Sequence, residues 1–125
     1  MADPRIKQLK IKTGVVRRIA KEKVSYDKEA ELLKSRVQQM KDEGKEEFYV
    51  KKQEEVLQES QMMIPDCQRR LVKAFDELKK FLIDEQALQD TEEYNAAKQV
   101  LEEAQKQLPN PNPGEVPQLS ADLML

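Results

Sequence analysis

The 125-residue sequence has no histidine, no tryptophan, one cysteine and three glycines. Without histidine the chain lacks the commonest metal ligand and the commonest general base near neutral pH. Cys67 has no second cysteine to pair with, so nothing points to an oxidising, secretory environment. The few glycines form no phosphate-cradling loop, and no run of carboxylates has calcium-loop spacing. No apolar run approaches the roughly 20 residues of a membrane-spanning helix. The N-terminus lacks an apolar signal core. It is basic and poor in acids, as mitochondrial presequences are, but Asp3, Pro4 and Glu22 interrupt that pattern. The segment also shares its heptad phase with the residues after it, which places it in the fold of a cytosolic protein.

What the chain does have is charge and periodicity. Charged residues make up 37% and apolar residues 38%, with a mean hydropathy of -0.82. That balance suits long exposed helices around a narrow seam better than a thick core. The net charge of -2 selects no class of partner.

Steps of three and four from Leu9 fall on Lys12, Val16, Ile19, Lys23, Tyr26, Ala30, Leu33, Val37 and Met40, and eight of these ten positions are apolar. Val15 and Ala20 widen the stripe. Pro4 suits a first turn and Gly44 a left-handed C-terminal cap, so helix one is expected over residues 4–42, roughly 58 Å long. A second stripe runs from Val50 through Leu57, Ile64, Cys67, Leu71, Ala74 and Leu78 to Phe81, predicting helix two over residues 46–84. Val56, Met63, Phe75 and Leu82 broaden it into the widest apolar face of the chain. The third stripe is Tyr94, Ala97, Leu101, Ala104 and Leu108, with Asp90 and Glu93 read as a capping pair and the helix set at 91–107. The expected fold is all-α: an elongated antiparallel, up-down-up three-helix bundle over residues 1–108 with coiled-coil-like packing. Four prolines and Gly114 make residues 109–125 a disordered tail by composition, with an oddly apolar end from Leu119 to Leu125.

Charge supports that topology. Residues 1–24 hold eight Lys or Arg against two acids, a net +6, whereas residues 84–107 hold two basic and seven acidic residues, a net -5. Helix three should lie along the first half of helix one, where these blocks meet. Beyond it helices one and two pair alone, leaving Leu33, Val37, Met40 and Leu57 partly uncovered.

Chemistry is not expected anywhere on this frame. Cys67 sits in the seam of helix two as a small buried thiol. The pairs Glu46-Glu47, Glu54-Glu55 and Glu92-Glu93 are solvated. Pairing with helix three accounts for much of the basic first helix, so neither nucleic acid nor membrane is expected as a partner. Pro65 lies within helix two, removing the N–H that would bond the Gln61 carbonyl. Because the seam continues unbroken from Leu57 to Leu71, the expectation is a kinked but continuous helix with Met62 off the seam and partly exposed.

The strings Lys10-Ile11-Lys12-Thr13-Gly14-Val15-Val16-Arg17-Arg18 and Met62-Met63-Ile64-Pro65-Asp66-Cys67-Gln68-Arg69-Arg70 closely resemble the family of tubulin-specific chaperone A, or tubulin-folding cofactor A. Glu92-Glu93-Tyr94 with Ala97 and Val100-Leu101 is similar to that family's third helix. The resemblance spans about residues 1–107 and implies a three-helix bundle. It implies an ATP-independent cytosolic chaperone that captures quasi-native β-tubulin and passes it toward the tubulin heterodimer. Members occur as monomers and as homodimers, and both states stay open here, as does a generic coiled-coil adaptor. Tubulin being acidic, the expected contact residues are Arg17, Arg18, Arg69 and Arg70, forming one patch at one end of the rod, with Met62 at the bend.

Overall fold

The computed structural model describes residues 3–108, which form helices α1 (Pro4–Asp42), α2 (Glu47–Asp84) and α3 (Glu92–Gln105), with a short 3-10 turn at Gln86–Leu88. The expected tail lies outside the described residues. The described residues divide into two compact units: α1 up to Ala20 with the chain from Arg70 to Leu108, and Lys21–Arg69.

The first unit holds the main core. Leu9, Val16 and Ile19 of α1 meet Leu71, Phe75, Leu78 and Leu82 of α2, while Tyr94, Ala97, Leu101 and Ala104 of α3 close the third side. Their three- and four-residue steps put each set on one helical face, and burial of each large apolar side chain stabilises by about 1.5–3 kcal/mol. Arg5 meets Glu85 at 3.1 Å and Lys12 lies 6.0 Å from the centre of the Phe81 ring, so α1 and α2 run antiparallel here. Helix α3 begins differently from expectation. Its cap is Thr91, not Asp90: Thr91 has extended backbone, and its hydroxyl oxygen accepts from the Tyr94 N–H at 3.1 Å. The same hydroxyl donates to the Leu88 carbonyl at 2.7 Å, which ties the cap to the 3-10 turn.

The second unit is a helical hairpin. Gly44, at φ 70°, ends α1 in a Schellman motif: its N–H reaches the Lys41 carbonyl at 3.1 Å and the Lys45 N–H reaches Met40 at 3.0 Å. Helix α2 passes through Pro65 without interruption. With only two helices available, the wide face expected of α2 is covered in part. Val56 and Met63 are 44% and 39% exposed, against 1% and 0% for Phe75 and Leu82, which have a third helix over them. Val37, expected at the rim, is buried: its short branched side chain is covered by the hairpin, whereas the longer Leu33, Met40 and Leu57 stay half-buried. Three polar groups also lie in this thin interior. Lys23 is nearly buried and pairs with Asp27 at 3.2 Å, while the Ser60 hydroxyl and the Gln68 amide nitrogen are buried without a hydrogen-bond partner among the described residues.

Candidate partner-binding surface

The side of α1 that enters the first core carries Leu9, Thr13, Val16 and Ile19, so the helical period turns Arg17 and Arg18 outward, and both are exposed. Thr13 is tolerated inside because its hydroxyl donates to the Leu9 carbonyl at 2.7 Å. The acidic block of α3 does less for the basic block than its charge suggested. Toward acids on other elements the basic segment forms Arg5–Glu85, at 3.1 Å, and a loose Lys10–Glu93 pair, at 4.0 Å. The reason is geometric: Tyr94, Ala97, Leu101 and Ala104 occupy the inward face of α3, so Glu92, Glu102 and Glu103 point to solvent. Arg17 and Arg18 meet no acidic side chain among the described residues.

Arg5 is held differently. Its guanidinium bonds the Asp3 carboxylate at 2.8 Å and also reaches Glu85, and these two carboxylates push its pKa upward. In return, hydrogen bonds from the Arg5 side chain and N–H hold the Asp3 carboxyl below its usual range. Between α1 and α3 lies an open groove of about 260 Å³ lined by Lys10, Thr13, Arg17, Glu93 and Ala96.

The other expected contacts lie on α2. Met62, at 74% exposure, and exposed Arg69 are one heptad apart and belong to the second unit, while exposed Arg70 falls in the first. Arg69 approaches Asp66 at 3.5 Å on the surface. Two apolar residues, Phe48 and Tyr49, escaped the sequence reading, whereas Val56 and Met63 were expected on the wide face of α2 and stand more exposed than that face implied. Tyr49, Val56 and Met63 continue an exposed heptad line, and Phe48 stands beside Tyr49 with ring centres 5.4 Å apart, edge to face. Lys52 lies 5.6 Å from the centre of the Phe48 ring. Phe48 and Tyr49 precede the seam that starts at Val50, which was the available signal. A second shallow groove of about 420 Å³ runs past Lys41, Lys45, Val50 and Lys51, whose lysines are engaged by Glu54, Glu43 and Glu47.

Among the described residues no group of three or more His, Cys, Asp or Glu side chains could hold a metal ion, and no helix is long and apolar enough to cross a membrane. Cys67 is fully buried. What this surface offers is shape, exposed guanidinium groups and apolar side chains, the means of holding a macromolecule.

The profile of one protein family, tubulin binding cofactor A, matches residues 4–101. The chain belongs to that family. Tubulin-specific chaperone A of Mus musculus is similar to it at 54% identity over 102 residues, 82% of this chain and 94% of the relative. Tubulin-folding cofactor A of Arabidopsis thaliana is 42% identical over 106 residues, 83% of this chain and 94% of the relative. The crystal structure of the Arabidopsis thaliana protein superposes with a TM-score of 0.78 at 40% identity, covering 82% of this chain and 97% of that one. The human tubulin chaperone cofactor A structure gives 0.72 at 52% identity, covering 79% and 96%. The cofactor A match includes all five expected contact residues and ends before residue 109.

Proposed function

We propose that this protein is a tubulin-folding cofactor that holds quasi-native β-tubulin, without ATP and without catalysis, and hands it on toward the tubulin heterodimer in the cytoplasm. Family membership supports tubulin as the client. The observation that carries a holding role is the pair Arg17 and Arg18, exposed on a rigid helix with no acidic partner among the described residues. Arginine's planar, weakly hydrated fork suits recognition of carboxylates, and an acidic client would supply them. Met62, Arg69 and Arg70 are the contacts proposed on α2. The missing N–H at Pro65 favours a bend there, which would present Met62, and a flexible thioether adapts to an uneven apolar surface.

The test is co-migration of the purified protein with newly synthesised β-tubulin on a native gel, with α-tubulin as control. A β-selective shift supports the reading. Charge reversal of Arg69 and Arg70 to Glu should weaken it with helicity unchanged in circular dichroism, and undiminished capture would remove these residues from the surface.

A further inference from the structure

Gly14 occupies the middle of the first half of α1, in ordinary helical backbone. Glycine there weakens a helix relative to alanine, because it has the most backbone freedom to lose and no side chain to pack. Close packing is the usual compensation, yet a Cβ added at Gly14 would meet nothing within 4 Å. Neither the turn geometry nor the core of this fold asks for glycine at this position.

Its surroundings suggest what does. Lys7, Ile11, Gly14 and Arg18 succeed one another in steps of four and three along one line of the helix, and Lys10, Gly14 and Arg17 form the adjacent line. Gly14 is therefore a notch at the centre of a basic face, opposite the buried Leu9, Thr13, Val16 and Ile19. Ile11, beside the notch, is 57% exposed, which a purely solvated face does not call for. Lys7, Arg17 and Arg18 meet no acidic side chain among the described residues, so the positive charge of this face is left for an outside partner. The groove lined by Lys10, Thr13, Arg17, Glu93 and Ala96 flanks the notch on the α3 side.

We infer that this face of α1 is a docking surface on which the main chain of an acidic segment of the client crosses Gly14 at van der Waals distance. Ile11 packs against that segment, and Lys7, Arg17 and Arg18 bond its carboxylates. This rests on the proposed holding function and adds where and how the client is gripped. The missing side chain at position 14 is what admits the close approach, as glycine does where a backbone nears a ligand.

The consequence is a substitution that improves the free protein and harms the complex. In the full-length chain, Gly14→Ala and Gly14→Gln should each raise the melting temperature by several degrees, since both residues favour helix and find open space. Capture of newly synthesised β-tubulin should fall slightly for Gly14→Ala and at least tenfold for Gly14→Gln. Arg18→Gln should flatten the salt dependence of capture, which for wild type should weaken as salt rises. Four results overturn the inference: Gly14→Gln capturing as well as or better than wild type, Gly14→Gln melting lower than wild type, salt-independent capture, or a wild-type dimer in sedimentation that Gly14→Gln dissociates, which would make the occupant a second copy. Wild type failing to capture β-tubulin would remove the holding function itself, whereas capture by wild type and Gly14→Gln alike removes only the docking face.

Discussion

The phenolic hydroxyl of Tyr94, at the start of α3, donates a 2.9 Å hydrogen bond to the main-chain carbonyl of Leu82, in the last turn of α2. The carbonyls of a last turn have no partner within their own helix. Tyr94 satisfies one of them from inside the core, so a single side chain both caps α2 and fixes where α3 begins. Tyr94→Phe keeps the ring and strands the carbonyl, with an expected loss of about 1–3 kcal/mol. Chemical denaturation of the two proteins side by side measures it.

Burial of the same side chain sets an alkaline limit. Burial raises the Tyr94 pKa above its ordinary value. The unfolded chain therefore ionises first, at about pH 10. The contribution of the neutral phenol is fully present below that pH and declines as pH rises through the folded pKa. Wild type should lose melting temperature more steeply than Tyr94→Phe above about pH 10; parallel curves would contradict the assignment.

Thr91→Ala removes the acceptor for the Tyr94 N–H and the bond to Leu88 together. Loss of the cap should cost about 1 kcal/mol. Asp90→Ala should be nearly silent, and equal effects for the two substitutions would return the cap to Asp90.

Gly44→Ala forces an L side chain into the left-handed region at φ 70°. A destabilisation of about 1–2 kcal/mol is expected, which equilibrium unfolding would show.

The two halves of α2 should answer truncation differently. Leu82→Ala, at a fully buried site, should lose about 2–5 kcal/mol. Met63→Ala, at 39% exposure, should lose well under half of that. Comparable losses would mean that Met63 is covered in solution.

Much of this fold was legible as spacing. The seams of Leu9 and Val50 and the glycine at position 44 are local signals, and helices read from them need no knowledge of neighbours. The cover over each seam was harder to read. Val56 and Met63 carry the same pattern as Phe75 and Leu82, and only the presence or absence of α3 separates them, a fact of tertiary structure. The cap of α3 was misplaced by one residue because Asp90 and Thr91 are both good caps, and backbone conformation chose between them. Of the candidate surface, Arg17, Arg18 and Met62 could be placed outside the core by phase alone. Summed charge could not show that Arg17 and Arg18 meet no acidic side chain among the described residues, because it ignores which face of α3 its carboxylates occupy.

The polar groups inside the hairpin bear on how the backbone opens. Ser60, Gln68 and Lys23 sit where the first unit has leucine and phenylalanine, and each buried polar atom without a partner costs about 1–3 kcal/mol. Amide protons of the Lys21–Arg69 hairpin should therefore exchange with solvent deuterium well before those around Leu71, Leu78 and Leu101. One continuous helix, α2, would then carry both a slowly and a rapidly exchanging half.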